Sequence, residues 1–192
     1  MSPVVLPHDR VRLYHRMLDT LLKVRGEQAH HFRIQIGIDV PNPAQAALER
    51  ITERFSVDGE PISDDEFADA VAAVADLEVV VGVRPTFFET TTSVAFRHFA
   101  DVAVDVAVIE VGLLGRWDAT NVVDADVAVV TNIGRDHTDG VGEWRRAIAA
   151  EKAGIIKPRS TLVLGESAND VRDLFLAEEA TARVERGVDF DA

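Results

Sequence analysis

Acids, a histidine, a lysine and several glycines gather between Glu110 and Gly154, at the edges of short apolar runs. Glu110 sits at the end of one Val-rich run, 104–111, and Asn132 follows the next, 126–131, with His137 shortly after. Asp118 and Asn121 stand between the two runs, and Lys152 lies in the segment that comes after them. In an open parallel sheet, ligands sit beyond the carboxyl ends of the strands. Glu110, Asn132 and His137 could therefore meet above one sheet edge although they are far apart in sequence. Gly112, Gly115 and Gly134 would let backbone come close to a phosphate or a metal ion. Each residue also has a plainer reading. Glu110 could be a strand-end carboxylate in solvent, and His137 a loop residue bonded to its neighbour Asp136. Lys152 could be a solvated helix residue, and Asp118 and Asn121 capping or turn residues. One acid with one histidine is a poor magnesium set by itself, because that ion prefers oxygen ligands. Composition and spacing alone reach an α/β domain with a polar strand-end site.

The elements that must position this site follow from periodicity. The Val-rich runs 104–111 and 126–131, and a third at 161–164, are expected to be buried strands. A helix is expected over 142–156 with Trp144, Ile148 and Ile155 near one face, and a last one with Val171, Leu174 and Phe175 inward, its apolar stripe narrowing at Glu178 and stopping at Gly187. Strands alternating with helices imply a parallel sheet flanked by helices. Before this part the chain is expected to be helical. Val11, Tyr14, Met17, Leu18, Leu21 and Leu22 recur at helical spacing over 9–24. Asn42-Pro43 with Gln45 forms a helix start, expected to run to about Arg54. Asp58-Gly59 is a turn signal. Ser63 with Glu66, and Thr86 with Glu89, are capping boxes. The first opens a helix with Phe67, Val71 and Val74 inward; the second opens one with Phe88, Thr92, Ala95, Phe96 and Phe99 on one side. The stretch 26–40, with His30, His31 and Arg33, is expected to be a solvated loop or an edge strand rather than a metal site. The seam between the helical N-terminal segment, 1–77, and the α/β part, 78–192, is placed near Glu78.

The chain has 192 residues, 47% of them apolar, enough to bury a core. Its formal charge of −13 argues against nucleic acid, whose phosphates would be repelled. A local anion site built from backbone N–H groups stays open. Having no cysteine, the chain can form neither disulfides nor thiolate metal sites, and the cytoplasm is the default compartment. Residues 1–9 lack the basic and apolar regions of a signal peptide. No apolar run approaches the roughly 20 residues of a membrane span.

The stretch from Thr86 to about Asp189 resembles folylpolyglutamate synthase/dihydrofolate synthase, a branch of the Mur ligase family. The resemblance is carried, in order, by Thr86-Phe87-Phe88-Glu89 with Thr92, by Glu110 to Asn121, by Thr131 to Thr138 and by Glu151 to Ile156. Asp58 to Ser63 and the helix after it also look like the family's upstream segment. The resemblance implies a P-loop-type central domain and an ATP-dependent amide ligase. Such a ligase phosphorylates the carboxylate of folate or dihydropteroate, and the amine of L-glutamate then attacks the acyl phosphate, with Mg2+ neutralising charge on the phosphates. It further implies that Glu110 and His137 are magnesium ligands. Lys152 matches a catalytic-site lysine that is often carbamylated. Asn132, Asp118 and Asn121 lie within the matched motifs on the cofactor side, where they are assigned to site structure.

The departures are equally specific. The family's phosphate loop ends in Gly-Lys-Ser/Thr, whereas the lysines here are Lys23, Lys152 and Lys157, none of which follows a glycine. The Ser-Pro-His motif is missing, and 26–51 has no counterpart. Leu114 stands where the family usually has glycine, and Arg135 where it usually has an apolar residue. The C-terminal domain that closes such sites is expected to be missing. Three readings follow: a ligase domain that does not turn over as this chain, a non-catalytic binding protein that uses a partner chain or self-association, or a different Mur-type ligase with another amino-acid acceptor.

Overall fold

The computed structural model describes residues 33–38, 50–134, 142–166 and 168–191. The expected helix over 9–24, the His30–His31 pair, the helix start at Asn42, Arg135 and His137 lie outside the described residues. Two compact units divide the chain, one holding the described residues 50–105 and the other 33–38 with 106–191.

Among the described residues the first unit starts with a 3-10 turn, Ile51–Arg54, where the end of an α-helix is expected from the sequence. A hairpin follows, with β2 (Ser56–Val57) antiparallel to β3 (Glu60–Pro61). Its turn residues Asp58 and Gly59 have φ of 55° and 86°, the left-handed pair that a type I′ turn demands. Helix α1 (Asp64–Val81) then opens on the Ser63–Glu66 capping box and ends on Gly82 at φ 69°. Helix α2 (Phe87–Asp101) opens on the Thr86–Glu89 box. The two helices pack against each other, and Val74, Val94, Phe96 and Phe99 are buried. Phe67 is half-buried and stacks on Phe55, ring centroids 6.0 Å apart. Phe88, expected inward, is exposed. Glu78 lies within α1, three residues before the helix ends at Val81.

The second unit is a parallel sheet flanked by helices. Its strands are β1 (Arg33–Ile38), β4 (Val106–Glu110), β5 (Val127–Val130), β6 (Thr161–Leu164) and β7 (Ala182–Glu185), in spatial order β4-β1-β5-β6-β7. Every neighbouring pair in this sheet is parallel. The stretch expected to be a loop or an edge strand thus supplies an interior strand, with a partner on each side. The strands alternate in burial: Ala107 and Ile109, Ala128 and Val130, and Leu162 and Leu164 face the core, while Val106 and Val108 are exposed. Helices α3 (Trp144–Ala153) and α4 (Asn169–Leu176) pack together and bury Ile148, Ala149, Val171 and Phe175. Ile155 is buried just past the end of α3. The chain after α4 turns into β7, where the sequence pattern suggests only the close of a helix.

Candidate active site at the carboxyl edge of the sheet

Strand order sets where a site can form. From β1 the chain goes to β4 on one side, and then crosses to β5 on the other. The carboxyl ends of these three strands therefore border the crevice at which open sheets bind ligands. Glu110, the last residue of β4, is in register with Gly37 of β1, and Ile38 is in register with Val130 of β5. Neighbouring strands are about 4.8 Å apart, so the ends of β4 and β5 are separated by about 10 Å. Glu110 is exposed at this edge, and Asn132 is exposed two residues beyond β5. The Thr131 hydroxyl donates to Asn132 Oδ1 at 3.2 Å.

The segment leaving β4 is held by its own side chains. The Asp118 carboxylate accepts from the Leu113 N–H at 2.8 Å, the Thr120 N–H at 2.9 Å and the Thr120 hydroxyl at 2.6 Å. Asp118 thereby caps the 3-10 turn Ala119–Val122. The Asn121 amide nitrogen donates to the carbonyls of Arg116 at 2.9 Å and Gly154 at 3.1 Å, while its buried Oδ1 has no partner among the described residues. Both residues thus have structural work inside the loop. Leu114 has φ 60°, so the position at which the resemblance leads one to expect glycine does take a glycine-type backbone.

This loop also rests on the end of α3. The Arg116 N–H donates to the Glu151 carbonyl at 2.9 Å, and its guanidinium to the Ala150 carbonyl at 3.2 Å and to Glu178 at 2.8 Å. A cation and an N–H are well placed there, since the last carbonyls of a helix lack partners within it. A Cβ on Gly115 would stand 2.9 Å from the Glu151 carbonyl oxygen and 3.1 Å from Lys152 Cα. One on Gly154 would stand 2.5 Å from Arg116 Cβ. Gly115 is accordingly a contact between loop and helix, whereas the space beside Gly134 is open. Lys152, in the last turn of α3, is only 4% exposed and so is not a solvated helix residue.

One acid at this edge carries little signal in the sequence pattern. Glu166, two residues past β6, is 8% exposed. Its Oε2 accepts from the Ile133 N–H at 2.9 Å and from Arg145 at 2.8 Å, and its Oε1 accepts from the Ala168 N–H at 2.8 Å. Arg145 also pairs with Asp170. Asp170 first, and Glu166 with it, hold the guanidinium above its ordinary range. Only the Gly-Glu pair just after an apolar run could have drawn attention to this residue.

The donors at this edge fit a metal–nucleotide only in part. Glu110 is an accessible hard oxygen ligand. Among the described residues, no group of three or more His or carboxylate residues could hold a metal ion, and the sequence has no Gly-Lys-Ser/Thr to cradle phosphates. 

Comparison with known proteins places this arrangement. The family model of the Mur ligase middle domain matches residues 67–184. The chain belongs to the Mur ligase family. The matched stretch of this middle domain includes Glu110, Asp118, Asn121, Asn132, His137 and Lys152. The dihydrofolate synthase/folylpolyglutamate synthase of Mycobacterium tuberculosis is 40% identical over 152 residues, which cover 70% of this chain and 31% of that protein. A crystal structure of the folylpolyglutamate synthase of that organism, complexed with ADP and AMPPCP, superposes with a TM-score of 0.75 at 32% identity over 91% of this chain and 47% of that one. A bifunctional folylpolyglutamate synthase/dihydrofolate synthase with Mn, AMPPNP and L-glutamate bound gives a TM-score of 0.76 at 29% identity over 98% of this chain and 49% of that one. The chain therefore spans about a third of the curated relative and about half of each solved chain. No helix among the described residues is long and apolar enough to cross a membrane.

Proposed function

We propose that the domain is of the ATP-dependent amide-ligase type that adds L-glutamate to a folate or dihydropteroate carboxylate through an acyl phosphate, acting in the cytoplasm. Glu110 and His137 are its magnesium ligands, and Lys152 its catalytic-site lysine. Asn132, Asp118 and Asn121 shape the nucleotide side of the site. The observation that carries this reading is the position of Glu110. It ends the strand beside the topological switch, in a chain whose relatives are folate ligases.

The 192-residue chain on its own does not turn over. Its sequence has no Gly-Lys-Ser/Thr to hold the β- and γ-phosphates, and losing such positioning removes many orders of magnitude of rate. Calorimetric titration of magnesium-ATP into the purified protein, repeated with Glu110→Ala, tests the site. Binding that is lost in the variant supports it, and no heat at millimolar nucleotide removes it. A γ-glutamylation assay run alongside tests the inactivity, which any turnover by the isolated chain would overturn.

A second reading has one observation in its favour. Among the described residues strand β4 is an edge strand, and Val106 and Val108 on it are 58% and 69% exposed. An apolar, unpaired edge is a surface for a partner chain or a second copy. On this reading the domain is a non-catalytic binding subunit. Sedimentation that shows a monomer at all concentrations, unchanged by Val108→Lys, would remove self-association.

A further inference from the structure

The buried Glu166 carboxylate belongs to none of the roles above, yet its bonds converge on the candidate site. It receives an N–H from the stretch after β5, an N–H from the start of α4 and the guanidinium of Arg145 in the first turn of α3. A buried carboxylate is costly unless it is paired and hydrogen-bonded. Here both oxygens are engaged, and the charge has a cationic partner. The residue before it acts in the same place. Gly165 donates its N–H to the Val130 carbonyl at 2.7 Å, and a Cβ on it would stand 2.4 Å from the Thr131 carbonyl oxygen. No side chain fits there without moving the backbone at Thr131. The Gly165-Glu166 pair thus grips the chain at Val130, Thr131 and Ile133, on either side of Asn132.

We propose that Glu166 is a positioning residue for the candidate site: with Gly165 it fixes the path of 131–134, and so fixes where Asn132 stands at the carboxyl edge of the sheet. The proposal rests on the reading of that edge as the metal–nucleotide side of a ligase domain. The carboxylate acts here through two acceptor oxygens, a capacity that an amide lacks. A glutamine has one acceptor oxygen and one NH2 donor. In either orientation, Glu166→Gln sets its NH2 against the Ile133 N–H or the Ala168 N–H.

The test compares Glu166→Gln with Glu185→Gln in the full chain. Glu185 is the better-buried partner of a second ion pair, with Arg172 at 2.6 Å, on the far edge strand β7. It therefore controls for loss of a partly buried charge pair. Hydrogen exchange of the peptide covering 130–134 is the first readout. Glu166→Gln should exchange there about tenfold faster, as expected on losing a hydrogen bond to a charged group, and Glu185→Gln should not. Equal exchange in both variants, or acceleration spread evenly over the whole sheet, overturns the proposal. The second readout is Mn2+ binding, followed by water-proton relaxation with Mn2+ alone as the probe. Weaker binding in Glu166→Gln but not in Glu185→Gln supports the positioning role, and unchanged binding beside faster exchange overturns it. Failure of the unmodified protein to bind Mn2+ counts against the ligase reading, and with it against any role for Glu166 beyond the clamp that hydrogen exchange measures.

Discussion

The side-chain nitrogen of Asn121 lies 3.1 Å from the carbonyl oxygen of Gly154 and 2.9 Å from that of Arg116. One amide therefore joins the loop leaving β4 to the end of the helix that carries Lys152. Together with the Arg116–Glu151 backbone bond and the close approach of Gly115, it makes the loop and the helix end a single packed unit. Lys152 and the backbone that follows Glu110 are consequently positioned by the same contacts.

Asn121→Ala should therefore cost more than an ordinary surface hydrogen bond. It leaves the Arg116 carbonyl without its donor and the Gly154 carbonyl with only the longer bond from Lys157 Nζ at 3.5 Å, offset in part by removal of the unpartnered Oδ1. We expect a loss of about 2 kcal/mol in urea unfolding, from the usual cost of leaving buried acceptors unpaired. A loss below about 0.5 kcal/mol would show that water takes over both carbonyls.

Leu114 makes the opposite case. At φ 60° an L-residue is strained, and glycine is not. Leu114→Gly should raise stability by about 0.5–1 kcal/mol, the strain relief exceeding the added freedom of the unfolded chain. Destabilisation would mean that the half-buried Leu114 side chain packs well enough to outweigh the strain.

Lys157 gives a pH signature. Burial lowers its pKa from the ordinary 10.5, with Asp124 opposing that shift and Arg116 adding to it. Between its folded pKa and 10.5 the unfolded chain holds more protons at this group than the folded one. This lysine therefore makes stability rise with pH across that window, and its penalty is constant below it. Lys157→Met should stabilise the protein at neutral pH and flatten the alkaline side of its stability profile. A profile parallel to that of the unmodified protein would show that the lysine is solvated in solution.

Local chemistry was legible in the sequence wherever neighbours in the chain decide it. Ser63 with Glu66, Thr86 with Glu89, and Asp58-Gly59 each specify a cap or a turn within a few residues, and each forms. Strands β4, β5 and β6 were legible from their Val-rich runs. Residues 33–38 were not, because what makes them an interior strand is pairing with β4 and β5, far along the chain. Strand β7 is short and mixed in polarity, so its periodicity could not separate it from the end of a helix. Gly115 showed that something comes close, but not whether a ligand or a helix. The role of Glu166 is not legible for the same reason as β1: its partners Ile133 and Arg145 meet it only through the fold.

The order of the sheet has a kinetic consequence. Strands β5, β6 and β7 succeed one another along the chain and in space, so they can zip together through short crossovers. Strand β1 pairs at Arg33 with Val106 and at Gln35 with Val127, with residues 42–105 of the first unit lying between in the chain. Closing so long an excursion loses chain entropy before any strand bond repays it. Until β1 arrives, β4 has no neighbour among the described strands and β5 has a bare edge. The crevice beside Glu110 is therefore the last part of the sheet to assemble, and the unfinished edges beside it are where a folding chain is most open to capture by another.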